Sequence, residues 1–276
     1  KREEMGLNDP FLVRYAEYVW NFFTKFDLGE SYTNLRPVGT QIMERLPTTM
    51  KLGLYGSLIT LVVGIFVGII SAVKQYSIID YISTVLATFF ASVPGFWLAL
   101  MGIVLFSQKL QILPASGLDT WKHWIMPVIC IGIGPIALVV RMTRTSMLDV
   151  VRQDYIRTAR AKGVKERAVI YKHALRNALI PVITVIGMQL SVIFGGSIIV
   201  ETIFSIPGMG MLLLDAINSQ DYPVILGCVL VLSLAVCVIN LLVDLAYAAA
   251  DPRIKAQYTG GKKKKKADRN TTPVTV

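Results

Sequence analysis

An all-α membrane protein, a polytopic helical bundle, is the fold this chain predicts, on three observations. First, 54% of its 276 residues are hydrophobic and only 17% charged, which is too apolar for a soluble domain. Second, the apolar residues gather into five runs free of Asp, Glu, Lys and Arg: 52–73, 81–106, 124–140, 178–200 and 224–243. About 20 helical residues cross a hydrocarbon core of about 30 Å, and the third run sits at the lower limit. In lipid the backbone must satisfy its own hydrogen bonds, so such runs read as helices rather than strands. Third, positive charge alternates between the connecting segments. Segments 74–80, 141–177 and 244–276 hold 19 of the 28 Lys and Arg, and 1–51, 107–123 and 201–223 hold 9. Basic residues collect on the cytoplasmic side, so the carboxy terminus is expected inside and the amino-terminal segment outside. The net charge of +10 is then a topology signal, and no nucleic-acid partner is expected.

An outer amino terminus needs delivery across the membrane. The chain opens at Lys1 without a signal peptide, so an upstream signal-anchor helix is expected, making six crossings with both ends inside. Three regions follow: an outer-facing segment 1–51, a transmembrane domain 52–250 with an inner loop 146–176, and a disordered cytoplasmic tail 251–276.

Within the first region, Asn8-Asp9-Pro10 reads as a turn or helix start. Val13–Phe23 fits an amphipathic helix on the outer surface, ended by Asp27-Leu28-Gly29. Val38–Arg45 reads as a second short helix that leads through Pro47 into the first span. That span carries Gly64 and Gly68, four apart, which lets helix backbones approach closely. The second span contains Pro94-Gly95, a kink or break point. Pro127 and Pro135 flank Gly132 and Gly134 in the third, and Pro181 enters the fourth. Between the last two spans, Met211–Ile217 reads as a short apolar helix dipping into the outer mouth of the bundle. In the tail, Lys262–Lys266 reads as a solvated topology determinant.

No span carries a charge near its centre, which argues against proton- or ion-coupled transport. Glu201, Asp244, Arg141 and Arg144 lie at span ends, where interfacial anchoring is the ordinary reading. Cys130, Cys228 and Cys237 lie inside apolar runs and read as small hydrophobes. His123 and His173 have no ligand-like spacing, and no metal site or cofactor is read. Ser191 and Ser197 have no His within the membrane, so no catalytic residue is expected either.

The most informative segment is the inner loop. Asp154–Gly163 favours helix through Arg157, Ala159, Arg160, Ala161 and Lys162. Helical spacing puts Tyr155, Thr158, Ala159 and Lys162 on one face, with Arg157 and Arg160 offering charge to an acidic rim. Gly163 suits the left-handed cap that ends a helix. A second helix runs from Lys165 through His173, Leu175 and Arg176 into the fourth span. A basic helix–turn–helix of this kind is either a docking site or a helix lying on the inner leaflet.

The spacing resembles the coupling signature of ATP-binding-cassette importer permeases. Ala159, Gly163 and Leu175 match its general form, and Arg157, Thr158, His173 and Arg176 depart from it. "RTARAKG…HALRNALIP" is similar to the variant found in the dipeptide, oligopeptide and nickel permeases, B-type subunit. "GLNDPFLVRYAEYV", "FDLGESY", "RLPTTMKLG", "SIPGMG", "DYPVILG" and "NLLVDLAYAAADPRIK" resemble the same family in order along the chain. The resemblance implies a permease half that pairs with a second related permease. Two cytoplasmic ATP-binding subunits would grip the loop, and an extracytoplasmic binding protein would deliver a di- or oligopeptide across a bacterial plasma membrane. A nickel or other small-solute importer is the alternative within the family, and a self-sufficient secondary carrier the alternative outside it. The chain has no phosphate-cradling Gly-rich loop, so ATP hydrolysis is expected on the partners.

Overall fold

The structure is a computed structural model, and it describes residues 10–25 and 27–250. The Asn8-Asp9 turn, the tail and its Lys262–Lys266 run lie outside the described residues. The described residues are helical, and their one extended contact is an isolated antiparallel bridge between Glu30 and Pro37. In chain order the helices are α1 (Phe11–Lys25), α2 (Val38–Val73), α3 (Ile78–Ser92), α4 (Gly95–Gly102) and α5 (Lys122–Val151). They continue with α6 (Asp154–Ala161), α7 (Glu166–Ala168), α8 (Leu175–Ile203), α9 (Met209–Asn218) and α10 (Tyr222–Ala250). Four helical stretches are long and apolar enough to cross a membrane, and α3 with α4 gives a fifth if the bent pair is one span. The pair is bent by 97° at Val93-Pro94, so the sequence's kink point is a full break. Pro94 opens the new helix instead of interrupting the old one, since its missing N–H costs nothing at a helix start.

The expected short helix 38–45 is the first part of one continuous helix, α2, with Pro47 inside it. Proline deprives the Met43 carbonyl of its partner, yet Met43 is mostly exposed, and the helix is pinned on both sides of the proline. Val38 and Ile42 are buried in one cluster and Leu52 in another. The expected boundary at residue 52 falls inside α2.

The chain divides into two compact units. Of the described residues, unit 1 comprises those within 10–59, 93–134 and 192–237, and has two apolar clusters. One joins Leu52, Ala99, Met126, Ile131, Val200 and Phe204. The other joins Leu28, Val38, Ile42, Met209, Ala216 and Val224, which seats α9 against α2 and α10. Of the described residues, unit 2 comprises 60–92, 135–191 and 238–250. Its cluster joins Ile69 and Ala72 of α2, Met147 of α5, Ile156 of α6, and Val169, Ile170, Ala174 and Ala178 along the approach to α8 and its start. The Gly64/Gly68 pair lies here. A Cβ at Gly64 would overlap the Val139 side chain, and one at Gly68 would overlap Thr143 and the Val140 carbonyl. The small residues therefore let α2 pack against α5 of the same chain. Cys228 is buried as expected, but Cys237 is exposed on α10.

Two π-helical stretches interrupt the pattern. Ile103–Lys109 extends α4 and ends with the Leu110 amide donating to Leu105 O at 3.0 Å. Val169–Ala174 joins α7 to α8.

Candidate functional site

The loop after α5 folds as a helical finger, and each part has a local cause. Gln153 leaves α5 in an extended conformation (ψ 150°), and α6 starts at Asp154, whose carboxylate suits the positive end of a helix. The helix closes in a double hydrogen bond of the Schellman type. The Gly163 amide donates to Arg160 O at 2.9 Å and the Val164 amide donates to Ala159 O at 3.2 Å. Gly163 has φ 75°, a conformation that side-chain-bearing residues disfavour. Across this turn the Arg160 guanidinium forks onto Glu166, with Nε and Nη2 donating at 3.1 and 2.6 Å.

The face of α6 turned to the protein carries Ile156, fully buried, with Ala159 partly buried beside it. Ala159 therefore does not share the free face with Tyr155, Thr158 and Lys162, as the helical wheel suggested. It is three residues from Ile156 and turns inward with it. Tyr155 is exposed, yet its hydroxyl accepts from Asn177 Nδ2 at 2.8 Å, which ties α6 to α8. The Thr158 hydroxyl donates to Asp154 O at 2.9 Å. Asp154, Arg157, Thr158, Arg160, Ala161, Lys162 and Gly163 form the exposed side, with Arg176 exposed on the second arm. Arg157 approaches Asp154 only loosely, at 3.6 Å. His173 lies in the π-helical stretch and is partly buried, and Leu175 rests against the Ile156 cluster. Ile156 went unnamed in the sequence reading, although an isoleucine within a polar octapeptide signals an anchor.

Two charged residues read as interfacial anchors prove to be internal ties. Glu201 is fully buried. Its Oε1 accepts from the Thr49 hydroxyl at 2.7 Å, and its Oε2 accepts from the amides of Gly210 and Met211 at 2.7 and 3.4 Å. Thr49 Oγ1 in turn accepts from the Met209 amide at 2.8 Å. A carboxylate thus holds the start of α9, and a Cβ at either Gly208 or Gly210 would overlap it. Arg144 donates Nε and Nη2 to the two oxygens of the buried Asp80 at 2.7 and 2.8 Å. The Ser71 hydroxyl and the Tyr76 amide complete the partners of Asp80.

Chemically, such an arrangement positions and transmits. It presents a cationic finger outside the apolar helices, on an all-α polytopic membrane protein.

Comparison with known proteins agrees. Residues 64–256 match the family described as "Binding-protein-dependent transport system inner membrane component". The dipeptide transport system permease protein DppB of Alkalihalophilus pseudofirmus is 44% identical over 281 residues, covering 92% of this chain and 84% of that protein. DppB of Escherichia coli is 40% identical, covering 91% and 83%. A putative peptide transport system permease protein of Brucella abortus is 44% identical, covering 92% and 83%. Among solved structures, the inward-facing MetNI methionine ABC transporter aligns with TM-score 0.65 at 17% identity, covering 76% of this chain and 96% of that one. An amino acid ABC transporter solved with histidines aligns with TM-score 0.58 at 14% identity, covering 78% and 94%. At that identity the two structures speak for the fold alone. The chain belongs to the family of binding-protein-dependent transport system inner membrane components. It is a permease subunit of a binding-protein-dependent transport system.

Proposed function

We propose that this permease imports di- or oligopeptides, and that α6 with the turn at Gly163 is its coupling finger. The observation that carries the substrate is identity above 40% to a dipeptide permease across nearly the whole chain. The finger lies on the cytoplasmic side of a bacterial plasma membrane, as does the carboxy terminus, in keeping with the basic content of both segments. Two ATP-binding subunits grip the exposed residues Arg157, Thr158, Ala161 and Lys162. Their closure on ATP drives α6. Ile156, the Tyr155–Asn177 bond and the Arg160–Glu166 fork oblige α8 to follow, because a small helix pinned at three points moves with its support. A second, related permease covers the free side of α10, whose most apolar window is only 17% buried within this chain. An extracytoplasmic binding protein delivers the peptide.

The test is uptake into proteoliposomes that hold this chain with its co-expressed partner subunits, ATP inside and binding protein outside. ATP-dependent accumulation of labelled dipeptide is the expected result. Nickel accumulation without peptide accumulation would overturn the substrate. Solute movement without ATP or partners would overturn the coupling role.

A further inference from the structure

Within unit 2, α3 and α5 leave a cavity of about 220 Å³ between them. Its two walls are the helix faces spaced by four residues: Asp80, Thr84 and Thr88 on α3, and Ala137, Arg141 and Thr145 on α5. The cavity is polar at one end and apolar at the other. Asp80, Arg141, Arg144 and Thr145 gather with Tyr76 and Tyr81 at one end. Ala87, Ala137 and Val140 line the other together with the Thr88 side chain, and Thr84 lies between.

The charges at the polar end do not cancel. Asp80 and Arg144 neutralise each other through their two-pronged bond. Arg141 stands one turn from Arg144 on the same helix, is exposed, and has no ion pair or hydrogen bond among the described residues. One unneutralised guanidinium therefore remains in a cleft that also offers the hydroxyls of Tyr76, Tyr81, Thr84 and Thr145. A guanidinium with neighbouring hydroxyl donors matches the oxygens of a phosphate. Tyrosines belong at the level of lipid headgroups, and the apolar end continues along two membrane helices. Headgroup chemistry at one end and acyl-chain chemistry at the other is the polarity of a phospholipid, and a small soluble anion has no use for the apolar end.

We propose that this cleft binds the phosphate headgroup of one anionic phospholipid, and that Arg141 selects it over a zwitterionic lipid. The Asp80–Arg144 pair holds the two walls together. It leaves Arg141 as the charge that the lipid neutralises.

The test uses the permease purified with its partner subunits and placed in bilayer discs of phosphatidylethanolamine and phosphatidylglycerol. Lipid that stays bound after transfer to mild detergent is identified by mass spectrometry. Retention of phosphatidylglycerol above its share of the bilayer is expected. R141Q should lower that preference about fivefold, roughly what one surface cation contributes, and R141K should keep most of it. Thermal unfolding of each variant checks that the fold is intact. Equal retention in wild type and R141Q would overturn the proposal, and so would no preference in the wild type. Displacement of the lipid by inorganic phosphate at millimolar concentration would assign the cleft to a small soluble anion and overturn the lipid.

Discussion

Replacing Ile156 by alanine tests how the proposed coupling finger is held. The α6 helix has eight residues, and isolated helices shorter than about 12–15 residues are marginal in water, so its order depends on what it rests against. Ile156 is fully buried among Ile69, Met147, Val169 and Ile170, and it is the one fully buried side chain of α6. Cutting a buried isoleucine to alanine costs about 2–5 kcal/mol. At about 1.4 kcal/mol per tenfold, opening of α6 should rise about 30-fold at the least. The assay is hydrogen exchange of the permease in bilayer discs, read on the peptide containing the Lys162, Gly163 and Val164 amides, all bonded within the turn. Ile156→Ala should speed their exchange by that factor and reduce ATP-driven uptake, while amides of α5 and α8 stay protected. Ile156→Val, which costs about 0.5–1.5 kcal/mol, should lie between. Unchanged exchange in Ile156→Ala would refute the reasoning, because the Schellman turn and the Arg160–Glu166 fork would then suffice without the anchor.

The remaining predictions concern the turn, the free charge, the buried clasp and an acid-labile tie. Gly163→Val should abolish uptake while the protein still inserts, since φ 75° costs a side-chain-bearing residue about 1–2 kcal/mol and a β-branched one more. No atom lies within 4 Å of the added Cβ, so near-normal uptake would mean that the backbone strain is harmless. Arg157→Glu should weaken co-purification of the ATP-binding subunits, and equal recovery would remove Arg157 from the docking face. It is a cleaner probe than Arg160, whose loss also breaks the fork to Glu166. Glu201→Ala should destabilise the protein by about 1–3 kcal/mol for each buried donor it strands, because the Thr49 hydroxyl and two amides lose their acceptor. A thermal midpoint equal to wild type would contradict that.

Asp221 gives the pH prediction. Burial pushes its carboxyl up, but hydrogen bonds from Ser31, Tyr32 and Thr33 outweigh it and hold the group below the usual carboxylate range. The folded value is depressed, so the contribution to stability is complete above the ordinary Asp value of about 3.9 and fades as pH falls through the folded value. Exchange of the Tyr32 and Thr33 amides should therefore rise in acid below about pH 4 beyond the intrinsic trend, and Asp221→Asn should lose that extra dependence.

Much of the architecture was legible because lipid leaves few options. Four of the five apolar runs lie on helices long and apolar enough to cross a membrane, and the second is the bent pair of α3 and α4. Gly64 and Gly68 marked a close helix contact, and Gly163 marked the end of α6. The outer helix expected over Val13–Phe23 is α1, and the apolar helix expected over Met211–Ile217 is α9, both within two residues at each end. What escaped depends on tertiary contacts. A π-helical stretch needs one residue more per turn, and no residue type in Val169–Ala174 announces it. Pro47 spoke locally for a break, and burial on both sides overruled it. The placement of Ala159 followed from Ile156, whose buried side sets the rotation of the helix. Glu201 and Arg144 looked like anchors because their partners, Thr49 and Asp80, lie 152 and 64 residues away.

The clasp at α9 holds the chain by its backbone, not by its side chains. Glu201 reaches the amides of Gly210 and Met211, and Thr49 reaches that of Met209, groups that almost every residue type would supply. The attachment is therefore blind to most of the sequence it secures. Only Gly208 and Gly210, where a Cβ would meet the carboxylate, are bound to their identity. Leu212 and Leu213, which make none of these bonds, hold the helix a second time by packing against the cluster of Leu28, Val38 and Ile42, so its backbone and its side chains are secured separately.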